Sequence, residues 1–371
     1  MTSESSLKRV NRPTRTSVTV ESDGSPYVRS VTRGDARCMD LLRRTAPAVG
    51  LFFLAPLVAE FLLGNLPITL LPALVLLAPL YGGGALLIRE VTRRAGRGVP
   101  TMLVLGVGYG LLEEGIATQS LFNPHYVGAD LLGVGYVPWL GIAVPWTLFV
   151  LTLHAVGSTT VPIAMAELCT RDRRTTPWLG RPGLGVVAAL LLVGVVGNAA
   201  FQMAIDPFRA TPAQCVGVVV LAALAAVVGL RLPRRTNLPG TVPPAWAVGL
   251  VGLAAGVLAE LLPLSYAGVA LLAALWVGLA ALAARWTVRE YWTPRHTLAA
   301  AAAGLVTYAW HAFPETPVVP VPPVVDLIGN GVFALGAVLL IGMAWRRTAA
   351  ASTIDISSRP DDRHVRKGAE S

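Results

Sequence analysis

About ten stretches of roughly 20 mostly apolar residues recur along this chain, each long enough to cross about 30 Å of hydrocarbon as a helix rising 1.5 Å per residue. Inside a bilayer every backbone N–H and C=O must find its partner within the protein, which leaves only helices and closed barrels. Uninterrupted apolar runs without strict alternation select the helix. The spans read as 46–66, 69–88, 99–122, 139–168, 184–205, 212–230, 245–264, 267–284, 298–313 and 324–345. Composition agrees, since 54% of residues are hydrophobic and 14% charged, against about 25% charged in soluble domains. The expected fold is all-α: a polytopic integral membrane helix bundle of about ten transmembrane helices.

Arginine tests that count, because cytoplasmic loops retain Lys and Arg. With the N-terminus inside, Arg89, Arg93, Arg94 and Arg97 fall on the cytoplasmic side, as do Arg171, Arg173, Arg174 and Arg181. Arg231, Arg234, Arg235, Arg285, Arg289, Arg295, Arg346 and Arg347 follow them, and only Arg209 falls outside. A miscounted helix would invert the pattern partway along. Both termini are therefore expected in the cytoplasm, in the inner (plasma) membrane. The formal net charge of +9 becomes a topology signal rather than a nucleic-acid footprint, since these arginines flank spans and are not interleaved with aromatics. The partners expected are membrane lipids and a membrane-associated peptide or protein substrate, with no nucleic acid.

Residues 1–45 and 348–371 are polar and read as disordered cytoplasmic tails around a transmembrane domain over 46–347. No apolar h-region precedes Thr45, so no cleaved signal peptide is expected. Cys38, Cys169 and Cys215 are scattered without CxxC spacing, which argues against a disulfide framework or a thiolate metal site.

Against this apolar background Glu113-Glu114 stands out. One ionised carboxylate at the bilayer centre costs about 2.5 to 3.5 kcal/mol, so two neighbours need partners, water or a chemical task. Counting rise per residue, Glu60, Glu114, Asn198 and Glu260 fall roughly 6 to 12 Å below the outer surface and share one layer. His154 is the only histidine deep in a span, and a bend near Pro145 would bring it toward that layer. On an ideal helix Glu113 and Glu114 point about 100° apart, so one is expected at the site and the other against a neighbouring helix. A single buried acid such as Glu60 or Glu260 reads more simply as structural glue.

The segment Tyr109-Gly-Leu-Leu-Glu113-Glu114, followed by Leu151-Thr-Leu-His154 and by Gly194-Val-Val-Gly-Asn198, resembles the CAAX-protease and bacteriocin-processing family of intramembrane endopeptidases. The resemblance implies that Glu113 or Glu114 is the general base activating a water for attack on a peptide carbonyl. It implies further that His154 polarises that water or stabilises the oxyanion, and that Asn198 donates another hydrogen bond. Cofactors are left unknown: Glu and His both bind zinc, but there is no HExxH, and three protein ligands would require help from a residue such as Glu60 or His311.

A second reading is a proton-coupled transporter or permease. Ala59-Glu60 and Arg89-Glu90 recur as Ala259-Glu260 and Arg289-Glu290 at one common offset, the pattern a parallel duplication would leave. Such a carrier should need Glu60 and Glu260 alike. Gly82-Gly83-Gly84 permits either close helix packing or an interrupted helix.

Overall fold

A computed structural model describes residues 33–170, 173–234, 238–263 and 265–357. The bundle begins at Leu42. Its helices are α1 (Arg33–Pro56), α2 (Leu74–Arg94), α3 (Val99–Leu112), α4 (Val144–Thr152), α5 (Val161–Leu168), α6 (Arg181–Ile205), α7 (Pro212–Arg231), α8 (Ala245–Leu261), α9 (Tyr266–Trp286), α10 (Pro294–His311) and α11 (Pro323–Ser357). A two-stranded antiparallel hairpin, β1 (Tyr136–Val137) with β2 (Ile142–Ala143), precedes α4.

Three segments continue neighbouring helices as wider π-helical turns: Leu57–Leu62 after α1, Glu113–Ala117 after α3, and Leu153–Thr160 joining α4 to α5. Among the described residues, eight helical runs are long and apolar enough to cross a membrane. The shorter α8 and the more polar α10, which carries Arg295, His296 and His311 near its ends, complete the ten. The expected all-α polytopic bundle is the observed one. The fourth span starts at Val144 rather than Trp139, because residues 136–143 close the hairpin instead.

Helix boundaries follow local chemistry. Thr211 caps α7 by accepting the Gln214 N–H while the Gln214 side chain accepts from the Thr211 N–H, and Pro212 takes the first turn, where a missing N–H costs nothing. At the far end of α2 the chain turns at Gly96, whose φ of +66° suits a residue without Cβ. The segments read as tails enter the described residues at 33–45 and 348–357. α1 is already helical from Arg33, and α11 runs through Thr348-Ala-Ala-Ala to Ser357. Helix propensity there does not require an apolar surface. The remainder of both segments, with Arg171 and Arg235, lies outside the described residues.

α2 is the central element, and its three consecutive glycines face three different neighbours. A Cβ on Gly82 would lie 2.0 Å from the Phe52 carbonyl oxygen of α1, one on Gly83 3.2 Å from the Leu191 backbone of α6, and one on Gly84 2.4 Å from the Tyr109 ring of α3. Rotation of about 100° per residue makes this possible, and small residues are what let membrane helices approach. The helix is not interrupted there. α6, α7, α9 and α11 form the periphery, with Leu192, Phe201, Val220, Leu271, Val277 and Leu339 turned outward, as a lipid-facing surface requires.

The two ends of the bundle differ. At the arginine end, fully buried Arg89 pairs with Glu90 (2.6 Å) and Glu167 (3.0 Å), and its guanidinium stacks 3.3 Å over Trp178. It also donates to the carbonyls of Arg173, Arg174 and Thr176, while Glu90 accepts the backbone N–H groups of Trp178 and Leu179. Loop 173–179 is thereby clamped to α2. The opposite end carries residues 63–67, 118–143, 206–211 and 312–322; from it Asn65 bonds Glu60, and Thr118 and Ser120 bond Glu114, so it forms a roof on the glutamate side.

The two halves of the apparent duplication have different structures. Arg89 and Glu90 are buried ion partners, whereas Arg289 bonds the Pro239 carbonyl at an exposed turn. Glu60 sits in a buried π-helical turn, but Glu260 lies exposed near the end of α8.

A buried Glu-Glu-His candidate site

Each of the three π-helical turns carries part of one polar cluster: Glu60, Glu113 with Glu114, and His154. A π turn closes with an i→i+5 bond, here from the Thr118 N–H to the Glu113 carbonyl at 2.9 Å. It spreads the turn over more residues and narrows the angle between successive side chains, and such insertions concentrate at functional sites. The expectation that one of the adjacent glutamates would turn away is therefore corrected. Both reach His154.

His154 Nε2 lies 2.7 Å from Glu114 Oε1 and in ion-pair contact with Glu113 Oε2. Its Nδ1 is 3.2 Å from Ser158 Oγ, one helical turn on, which orients the ring. Tyr81 stacks on the imidazole at 6.2 Å between centroids and Tyr109 meets it edge-on at 5.7 Å. The backbone of α3 comes this close because residue 110 is glycine; a Cβ there would be 2.9 Å from His154 Cβ. The approach of His154 is thus set by its π turn and by Gly110, more than by a bend at Pro145.

From this centre hydrogen bonds extend both ways. Glu114 Oε2 accepts from Thr118 Oγ1 (3.0 Å) and from Ser120 Oγ, which in turn accepts from Trp146 Nε1 at 3.2 Å. Tyr81 hydroxyl donates to Glu60 Oε1 and lies 3.1 Å from Glu113 Oε1; Glu60 Oε2 accepts from Asn65 Nδ2 at 2.6 Å. Glu113 and His154 are each 1% exposed, and Glu60 and Glu114 8%. Sequence spacing could have found Ser158, at i+4 from His154. Nothing in the sequence marks Tyr81, and Glu60, read as structural glue, belongs to the same network.

The roof is held by its own polar contacts. Gln119, at φ +60°, offers Oε1 to the Ala210 N–H (2.7 Å), and Asn123 Nδ2 donates to Asp206 Oδ2 (2.7 Å). The Phe208 N–H and Asn123 hold the Asp206 carboxyl below its ordinary range. Tyr126 in the roof, bonded to Gln202 at 3.2 Å, is pushed above the usual phenol value by burial and by the field of Glu114, Glu113 and Glu60.

Asn198 does not join this network. It lies partly buried on α6, and its Oδ1 accepts no hydrogen bond among the described residues. Glu260 is also separate, paired with His311 Nδ1 at 3.0 Å, while Glu315 approaches His311 Nε2 at 3.7 Å. The layer inferred from depth therefore splits into two sites. One ligand atom each from Glu113, Glu114 and His154 lie within 4.8 Å of one another, all three residues buried. Two oxygens and an imidazole nitrogen are a donor set that suits a divalent cation with an open coordination position. Neither Glu60 nor His311 is needed to reach three ligands.

A membrane helix bundle with an acidic, histidine-bearing interior is thus the class of protein that the fold and site define. A family model described as an uncharacterized membrane protein family matches residues 50–357, and the chain belongs to that family. Comparison with curated proteins and with solved structures finds no match. The resemblance to the CAAX-protease and bacteriocin-processing endopeptidases is overturned by this assignment. The physical reason is visible in the residues: where that motif has an arginine four positions after the second glutamate and a phenylalanine four before the histidine, this chain has Thr118 and Val150, and no histidine precedes Asn198 in the third motif. Two glutamates and a histidine in apolar helices are too short a pattern to define a family.

Proposed function

We propose that the chain is a membrane-embedded hydrolase whose Glu113, Glu114 and His154 activate water against a carbonyl group of a membrane-borne substrate, with peptide bonds as the first class to test. One observation carries this reading: two adjacent carboxylates and an imidazole, from separate helical runs, converge on a single nitrogen in a nearly water-excluded interior. A carboxylate within hydrogen-bonding reach of water is a general base, and the imidazole beside it can hold or return the proton. Ser158 and the two tyrosines keep the ring in place. The separation of Glu60 from Glu260 counts against a carrier built on equivalent halves, which would need both. The arginine-rich end is proposed to face the cytoplasm of the inner membrane, as the positive-inside rule requires, with the roofed site opening toward the opposite side.

The test is mass-spectrometric mapping of new protein termini in membranes from cells expressing the native chain or its Glu113→Gln, Glu114→Gln and His154→Ala variants at equal abundance. Termini that vanish in a glutamate variant and in the histidine variant support the reading. Identical termini in all samples refute peptide hydrolysis and turn attention to transport assays on Glu60 and Glu260.

A further inference from the structure

At the arginine end, away from the glutamates, helix ends enclose a cleft of about 580 Å3, its open mouth included, within the range of about 300 to 1,000 Å3 of small-ligand sites. Arg93 comes from the last turn of α2, Val99 and Thr101 from the first turn of α3, and Thr297 from the start of α10, while Pro233 follows α7 and Thr287 follows α9. Among the described residues no acidic side chain lines the cleft. Hydrogen-bond donors do. Arg93 gives Nε–H and one Nη2–H to the two oxygens of Glu167 (2.7 and 2.5 Å) and one Nη1–H to the Arg97 carbonyl (3.0 Å), which leaves the second N–H of each Nη. Thr297 Oγ1 accepts from Trp292 Nε1 at 2.9 Å, so its own O–H remains for another acceptor. Thr101 and Thr287, by contrast, donate to the carbonyls of Gly229 and Ala283. Charge points the same way. Arg89, Arg93 and Arg94 share Glu90 and Glu167, and Arg97, next to Gly98 in the wall, keeps Nε and Nη1 buried without a partner among the described residues. Guanidinium groups thus outnumber carboxylates beside the cleft, and such groups bind phosphate well.

We propose that this cleft binds a phosphate group, that of an anionic phospholipid headgroup in the adjoining leaflet, with Arg93 and Thr297 as its donors. Position argues for the lipid. The cleft lies where spans end, which is the depth of the headgroups. Trp292 in its wall is the kind of side chain that favours this boundary, with an apolar body and one polar N–H. Val227, Val228 and Leu230, exposed on the last turns of α7, give the acyl chains an apolar surface beside the cleft. Basic pockets between membrane helices take anionic headgroups in this way. The site shares no residue with Glu113, Glu114 or His154 and does not depend on the hydrolytic reading.

The experiment is native mass spectrometry of the purified full-length protein, incubated in detergent with equal amounts of phosphatidylglycerol and phosphatidylcholine, the second carrying the same phosphate beside a neutralising choline. Gly98 supplies the variants, because a Cβ there meets nothing closer than Pro100 Cδ at 3.9 Å and its φ of −123° suits any residue. The native protein should retain phosphatidylglycerol over phosphatidylcholine by roughly fivefold or more. Gly98→Glu, which sets a carboxylate in the wall, should abolish that preference, and Gly98→Gln, of equal size, should keep it. Thr297→Val should weaken phosphatidylglycerol retention roughly fivefold, as loss of one hydrogen bond does. Equal retention of the two lipids by the native protein overturns the proposal, as does a preference unchanged in every folded variant. The size-exclusion profile identifies a variant that fails to fold, and where Gly98→Glu is that variant, Thr297→Val carries the test. Inorganic phosphate alone separates the two sources of the group: phosphate retained by the native protein and lost in Gly98→Glu, without any lipid preference, would assign the cleft to free phosphate and overturn the lipid.

Discussion

Alanine in place of Gly82 should destabilise this protein, although the same change in a free helix would stabilise it. The new Cβ would sit 2.0 Å from the Phe52 carbonyl oxygen and 2.7 Å from the Phe52 carbonyl carbon and Cα. These are backbone atoms, so no side chain can rotate away. Ordinary contact lies near 3.5 Å, and the backbones of α1 and α2 must part by roughly 1 Å or more. Overpacking of this kind costs about 1 to 3 kcal/mol, set against about 1 kcal/mol gained from alanine's better helix propensity. The net loss is expected at up to about 2 kcal/mol, at the upper end because the clash is with backbone. Gly278 in α9 supplies the control, since nothing lies within 4 Å of its Cβ position. Alanine there should leave stability unchanged or raise it. Unfolding of both variants in the same detergent micelles makes the comparison, and Gly82→Ala should also disturb the neighbouring Tyr81–Glu60 contact. Equal stability of the two variants would refute the argument that Gly82 is selected by backbone approach.

Other outcomes follow from separate parts of the structure. Glu90→Ala should cost about 3 to 5 kcal/mol in the same unfolding assay, because it strips buried Arg89 of an ion partner and frees the Trp178 and Leu179 N–H groups of loop 173–179. Ser158→Ala removes the bond that orients His154 Nδ1, worth about 1 kcal/mol, and should lower the rate of Glu113-dependent terminus formation about fivefold without loss of folded protein. Asp206, whose folded-state pKa is depressed, stabilises the roof above the ordinary carboxylate range and loses that contribution as pH falls through the depressed value. Hydrogen exchange at residues 206–210 should therefore accelerate in acid, and Asp206→Asn should flatten that dependence. Isothermal titration of zinc into metal-free protein should give one site that is lost in His154→Ala, if the Glu113, Glu114 and His154 donors act as ligands.

The spans were legible in the sequence because apolar length is a one-dimensional property: a bilayer demands about 20 residues, whatever the neighbouring helices are. The misplaced boundary, at Trp139, lies where the backbone's hydrogen bonding decides and hydropathy does not. Glu113, Glu114 and His154 were legible as candidates because each is costly in hydrocarbon. Their convergence was not, since ideal helical rotation separates adjacent side chains and the π turns that bring them together have no sequence signature here. Asn198 entered by its depth and by motif analogy, and the packing leaves it outside the network. Tyr81 carries no cost in a membrane helix and so no signal. Its role comes from the close crossings at Gly82 and Gly84 beside it, which place α2 against α1 and α3. Composition and spacing thus determined that this chain crosses a membrane and carries buried acids. Which acids meet, and through which phenol, was decided by tertiary structure, because a hydrogen bond depends on distances of a few tenths of an ångström that only the packed helices define.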